Sequence, residues 1–299
     1  MFTRLMLFGL TNFAILIVIT VVWQVLGLDQ VLYANGVSAN IVGILPIALA
    51  FGMGGSIVSL LLSKRMALMS TGAKVIEQPN NNVERWLLET VHRQAREAGI
   101  GEPDVAIYNG REMNAFATGA SRNNALVAVS TGLLDNMNAD EVEAVLGHEV
   151  SHVANGDMIT LSLIQGVLNT FVIIFSRVIG RMLDNMLFRR EGGQGGHGIG
   201  YFAMTILAEV LLGFLAHMIV MAFSRYREFR ADEGGAALSD RSKMIAALRR
   251  LQSQQSADRP VQLPEELHAF GIFGRNGVGR LFMSHPPLEE RIAALQKPH

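Results

Sequence analysis

His148, Glu149 and His152 stand in the string His148-Glu149-Val150-Ser151-His152, two imidazoles four positions apart with a carboxylate beside the first. On an α-helix such positions lie about 40° apart around the axis and one turn along it, so both imidazoles can reach one cation. Glu149 shares their surface, where it can hold a water molecule at that cation and take its proton. This H-E-x-x-H arrangement suits metal-assisted hydrolysis of a peptide bond. The alternative is an amphipathic helix with both histidines in solvent. It gives the three residues no reason to share a face.

The flanking residues predict the helix that would position them. Asn138-Ala139-Asp140-Glu141 reads as a capping box, with Asn138 as N-cap and Glu141 closing the reciprocal bond. Asp140 and Glu141 place negative charge at the positive end of the helix dipole. Val142, Val145, Leu146, Val150 and Val153 supply an apolar stripe, and Asn155-Gly156 a C-terminal stop.

Two histidines leave a catalytic metal site one protein ligand short. The chain has no cysteine, so histidines and carboxylates must supply the ligands. Glu228 and Asp232, in Ser224-Arg225-Tyr226-Arg227-Glu228-Phe229-Arg230-Ala231-Asp232, are also i and i+4. One can bind the metal while the other accepts a hydrogen bond from a ligating histidine. Spacing alone equally allows a solvated helix start with Arg–Glu pairs. Glu209 and His217, eight apart within an apolar run, are alternative ligands or a polar patch facing a helix bundle.

Half of the 299 residues are hydrophobic, and the excess is concentrated in long runs, a membrane signature. The net charge of −1 gives no basic excess for nucleic acid. Leu5 to Leu28 and Ile41 to Ser63 are uncharged and each long enough to cross a bilayer. Val37-Ser38-Ala39 resembles a cleavage site. The first run is nevertheless too long for a signal peptide core, and a second follows at once, which favours a retained hairpin. Arg4 precedes the hairpin, Lys64 and Arg65 follow it, and its turn has no basic residue. Both ends, the H-E-x-x-H segment and the two termini are therefore expected in the cytoplasm.

Met158 to Ser176 and Ile199 to Ser224 are two further apolar runs, joined by the basic, then Gly-rich stretch Arg177 to Gly198. If both runs span, this stretch lies on the side that basic residues disfavour. Two further spans, or a hairpin packed in or beside the membrane, both fit. His197 reads as a solvated linker residue, and His92 and His268 as surface residues. Asp104 to Tyr108, Met113 to Ala117 and Ala125 to Ser130 read as strands. Asn82 to Ala98, Asp240 to Gln255 and Pro287 to Gln296 read as helices.

The capped HEVSH helix followed, beyond a membrane segment, by Arg227-Glu228-Phe229-Arg230-Ala231-Asp232 resembles the HtpX family of membrane zinc metalloproteases, relatives of the CaaX prenyl proteases. The resemblance covers nearly the whole chain. It implies one zinc ion held by His148, His152 and Glu228, with Glu149 as general base and Asp232 positioning a zinc-binding histidine. Met113-Asn114-Ala115-Phe116-Ala117 matches the family strand that holds a peptide substrate by strand addition, which assigns Asn114, Ala115, Phe116 and Ala117 to substrate binding. Ser284-His285-Pro286-Pro287 with Glu290-Arg291-Ile292 matches a late segment whose histidine and arginine stabilise the reaction intermediate, a role that falls on His285 and Arg291. The implied fold is α+β, a zincin-like metalloprotease domain joined to a helical transmembrane region of two to four spans. The expected layout is a transmembrane hairpin over 1–65, protease segments over 66–157 and 225–299, and a second hairpin over 158–224. The implied activity is an inner-membrane endopeptidase that removes damaged membrane proteins as quality control under stress, with polypeptide substrates and the lipid bilayer as partners. Two other functions compete. A narrow CaaX-type processing protease would carry more spans, and a zinc transporter or sensor would need polar residues within several spans.

Overall fold

The computed structural model describes residues 41–187, 199–257 and 285–297. The first apolar run, the cleavage-like tripeptide, His197, His268 and Ser284 lie outside them. The described chain runs α1 (Ile41–Thr71), β1 (Lys74–Val75), α2 (Asn82–Glu97), β2 (Asp104–Tyr108), β3 (Ala115–Ser121) and β4 (Asn124–Ser130). It continues with α3 (Thr131–Asn136), α4 (Ala139–Asn155), α5 (Asp157–Leu187), α6 (Ile199–Leu238), α7 (Arg241–Ala257) and α8 (Leu288–Gln296). These elements form two compact units, residues 1–57 with 163–217, and residues 58–162 with 218–299.

In the first unit the described elements are all helical. Asp157–Asp184 of α5 and Gly200–Leu238 of α6 are long and apolar enough to cross a membrane. Their large side chains stay outward, among them Phe202, Val210, Leu211 and Phe214. Apolar surface of this extent belongs in lipid rather than water. Contacts between helices are made by small residues instead. A Cβ on Gly52 would meet Thr170 Oγ1 at 2.3 Å, and one on Gly180 would meet Thr205 Oγ1 at 2.2 Å. Such close backbone approach is how helices associate where the hydrophobic effect cannot drive them together. The stretch expected as a loop from Arg177 is helical to Leu187. Arg177 donates to Ile173 O at 2.9 Å, and the Arg181 guanidinium lies 5.8 Å from the Tyr201 ring centroid. Both charges are thereby accommodated on the helix without breaking it.

In the second unit a four-stranded sheet has the order β1-β2-β4-β3. β2 and β4 are parallel, and the two outer pairs antiparallel. β3 is an edge strand. One face carries Val105, Val127 and Val129, which pack on Leu87 and Val91 of α2, Leu146 and Val150 of α4, Leu248 of α7 and Ile292 of α8. Fully burying such side chains is worth about 1.5–3 kcal/mol each, and it fixes α4 under the sheet. The other face, Ala106, Leu126 and Ala128, packs on Ala67, Leu68, Tyr108 and Phe116.

Strand β3 begins two residues later than its alternation suggests, at Ala115, and runs on to Ser121 through a bulge at Gly119. The cause is Ser130, at 0% exposure. Its Oγ donates to Glu112 O at 2.6 Å and accepts from Asn114 N at 3.1 Å and Leu133 N at 3.0 Å. Residues 112–114 are thus tied to the start of α3 before the regular ladder begins. His92 is not a free surface residue. It is half-buried, with Nε2 3.2 Å from Pro103 O and Nδ1 3.3 Å from Glu102.

Candidate metal centre

Helix α4 forms as its caps predict. The Asn138 side chain accepts from Glu141 N, and Glu141 Oε2 accepts from Asn138 N, both at 3.0 Å. Gly156 ends the helix in the left-handed region at φ 70°, a conformation that costs glycine nothing. His148 and His152 lie buried on one face of α4, one turn apart. Glu228 and Asp232 come from α6, beyond its apolar stretch, and are buried too.

The two helices approach closely because both are glycines at the crossing. A Cβ on Gly235 would stand 2.9 Å from His148 N, and one on Gly234 would stand 2.0 Å from Ser151 Oγ. Gly147 faces Gly235 O in turn. Any side chain on Gly235 would push the α6 carboxylates away from the α4 imidazoles.

His148 Nε2 and His152 Nε2 are 3.1 Å apart. Glu228 Oε2 lies 3.5 Å from His148 Nε2, and Glu228 Oε1 3.3 Å from His152 Nε2. Ligands of a tetrahedral zinc at about 2.0–2.1 Å stand about 3.3–3.4 Å from one another, so the triangle has the size of a zinc face. Glu228 Oε1 is buried without a hydrogen-bond partner among the described residues, a costly state that a cation would relieve. Among the described residues this is the one group of side chains that could hold a metal ion; Glu209 and His217 are not in it.

Carboxylates orient both imidazoles. His152 Nδ1 donates to Asp157 Oδ2 at 2.7 Å. His148 Nδ1 sits 2.9 Å from Asp232 Oδ1, a close contact whose angle falls short of a hydrogen bond. A carboxylate can only accept, so each Nδ1 carries a proton, and with a metal present each Nε2 would turn its lone pair to the triangle. Arg291 is buried and donates to Asp232 twice, Nε to Oδ2 at 2.7 Å and Nη2 to Oδ1 at 2.6 Å. His285 Nδ1 lies 2.7 Å from Glu228 Oε2 while its ring stays largely exposed. Glu149 is half-buried beside them and makes no hydrogen bond or ion pair among the described residues. Asn114 and Ala115–Ala117 stand at the start of edge strand β3, against which α4 packs.

The charges reinforce one another. Burial opposes protonation of His152, yet the hydrogen bond to Asp157, the contact with Glu228 and the charge of Glu149 prevail and push it up to about 9. Burial likewise opposes protonation of His148, and Asp232 and Glu228 raise it. Burial alone would raise the Glu228 carboxyl, but His148, His152 and His285 hold it well below the usual carboxylate range. His148 and His152 in the metal-free centre therefore hold protons more tightly than free imidazoles, and a metal must displace protons to bind. Zinc affinity measured by chelator competition should rise at least about tenfold per pH unit as pH climbs towards about 9, then level off. Stability of the metal-free protein should move the other way. A His152 raised from 6.5 to about 9 stabilises the fold fully below 6.5, and that contribution is lost as pH climbs through about 9. A thermal midpoint of the metal-free protein that rose over this range would contradict the assignment.

Two helix-borne imidazoles completed by a buried glutamate from a second helix, with a free glutamate alongside, define a metallopeptidase centre. Residues 81–299 match peptidase family M48. The chain is 57% identical over 297 residues to "Protease HtpX homolog" of Nitrosomonas europaea, with 99% of each chain covered. It is 59% identical over 297 residues to "Protease HtpX" of Stenotrophomonas maltophilia, covering 99% of this chain and 98% of that one. It therefore belongs to peptidase family M48 and, within it, to the HtpX proteases. Among solved structures, the crystal structure of S. mikatae Ste24p shares the fold, with a TM-score of 0.57 at 20% identity over 93% of this chain and 66% of that one.

Sequence reasoning missed Asp157, Arg230, Ser130 and the glycines of the α4–α6 crossing. For Asp157 a signal existed, an acid just beyond the C-cap of a ligand-bearing helix. The glycines and Ser130 act only through tertiary contacts.

Proposed function

We propose that the chain is an integral-membrane zinc endopeptidase that hydrolyses misfolded or damaged membrane proteins on the cytoplasmic side, as protein quality control under stress. The observation that carries this reading is the buried His148–His152–Glu228 triangle beside an uncommitted Glu149. Zinc suits a set of two imidazoles and one carboxylate with a position left open, and when bound it polarises the scissile carbonyl and acidifies water. Glu149 takes a proton from the attacking water and passes it to the leaving amine. His285, whose side chain is 59% exposed, is open to substrate and is suited to donating a hydrogen bond to the tetrahedral oxyanion. Arg291 gives Nε and Nη2 to Asp232 and so holds it against His148, while Nη1 stays 3.5 Å from Glu228 Oε2, at the centre where it can also favour the intermediate.

A substrate in extended form adds to β3. The edge position of β3 and the packing of α4 against it support this. Asn114 spends its backbone on Ser130, its N–H on Oγ and its C=O on N–H, so we place recognition on Ala115, Phe116 and Ala117. Strand addition reads backbone, and that suits a broad range of unfolded chains. Lys64 and Arg65 after one apolar run and Arg225, Arg227 and Arg230 after another support the cytoplasmic side.

Casein hydrolysis by the detergent-solubilised protein should vanish with a chelator and return with added zinc. Hydrolysis indifferent to the chelator would overturn the metalloprotease reading.

A further inference from the structure

Each imidazole of the centre leans on a carboxylate, and each of those carboxylates is held by an arginine. On the His148 side the series is Arg291, Asp232, His148. On the other side Arg230 Nη2 donates to Asp157 Oδ1 at 2.5 Å, and Asp157 Oδ2 accepts from His152 Nδ1 at 2.7 Å. Asp157 has 0% exposure, so its charge is stable only while both partners remain. Its bond to His152 meets hydrogen-bond geometry, which the contact of Asp232 with His148 does not.

The reading of Asp157 as a mere acidic helix start does not account for this. A charge placed to favour the dipole at the start of α5 needs neither full burial nor an imidazole partner. Its place in the chain adds a second consequence. Asp157 immediately precedes the apolar run of α5, and Arg230 follows the apolar run of α6. One carboxylate therefore joins the ends of two long apolar runs to a metal-centre imidazole.

We propose that Asp157 is a positioning residue for His152, with Arg230 acting through it, so that zinc is held tightly only while the start of α5 and the stretch of α6 just beyond its apolar run stay clamped together. The inference rests on the metal-centre reading above. Asp157 fixes the His152 proton on Nδ1 and the ring plane, and Arg230 fixes Asp157. Arg230 is not among the candidate ligands, and its side chain is half exposed, so its substitution leaves the core intact.

The test is zinc affinity by chelator competition on the full-length protein in detergent, with the thermal midpoint of the metal-free form measured in parallel. Asp157→Asn should weaken zinc binding about 10–100-fold, the range for groups that orient a metal ligand. Arg230→Met should weaken it in the same direction by less, Arg230→Lys should restore most of it, and the double variant Asp157→Asn/Arg230→Met should be no worse than Asp157→Asn alone. With zinc saturating, KM for a peptide substrate should not move. Wild-type affinity in Arg230→Met, or additive losses in the double variant, would overturn the proposal even if Asp157→Asn fails to fold. Lowered thermal midpoints with unchanged zinc affinity would also overturn it, reducing the pair to a structural clip. A wild-type protein that binds no zinc would instead sink the metal-centre reading itself.

Discussion

Glu149→Gln should retain stoichiometric zinc and lose proteolysis by about 10²–10⁴-fold, the range for removal of a general base. Glutamine keeps the shape and the hydrogen-bonding reach of the side chain but cannot accept a proton near neutral pH. Glu149 is half-buried on α4 between the two imidazoles in sequence, with no partner among the described residues, so no structural contact is lost with its charge. Its charge acts at a distance, helping to raise His152 and Arg291. Removing that charge lowers the proton affinity of His152 and slightly eases zinc entry, so metal content should not fall. A variant that cleaved casein at the wild-type rate would show that another group moves the proton. A variant that lost zinc would show that Glu149 is a ligand.

The site was legible where its parts are local. The caps of α4 depend on residues three apart, and the Asn138–Glu141 box and Gly156 fall where their chemistry predicts. His148 and His152 follow from helical period alone. The pairing of Glu228 with these histidines did not, because i, i+4 spacing on α6 is equally that of a solvated charged helix. What brings it home is the closeness of α4 and α6, which depends on Gly147, Gly234 and Gly235, and glycines carry no pattern that points to a neighbour. The start of β3 shifted for a similar reason, since the hold of Ser130 on residues 112–114 outweighs the alternation of the strand. Alternation also hid a division of labour. Ala115 and Ala117 face the α4 side of the sheet, while Phe116 packs with Tyr108 on the other. Arg291 shows how far matching a motif can go. The sequence places it near the chemistry, and only the side-chain geometry shows its two hydrogen bonds spent on Asp232.

Glu228→Ala should abolish zinc binding and with it all proteolysis. The loss should exceed the ~10–100-fold that follows from removing a group behind a ligand, because here the ligand itself goes. In the metal-free protein the same carboxylate, at 0% exposure, faces His148, His152, His285 and Arg291. Deleting it leaves Arg291 and the proton-holding His148 and His152 without their shared carboxylate in a buried space. Breaking a buried ion pair from one side costs about 3–5 kcal/mol, part of which the histidines recover by releasing protons. The metal-free variant should therefore melt lower than the wild type near pH 6, where its histidines are driven to charge. The deficit should shrink as pH climbs through about 9, where the wild-type His152 also loses its proton. Glu228→Gln separates the two roles. It keeps an oxygen donor and the packing but not the charge, so it should sit between Glu228→Ala and the wild type in zinc affinity. Metal analysis that found full zinc in Glu228→Ala would move the third ligand elsewhere, with Asp232 the first carboxylate to test.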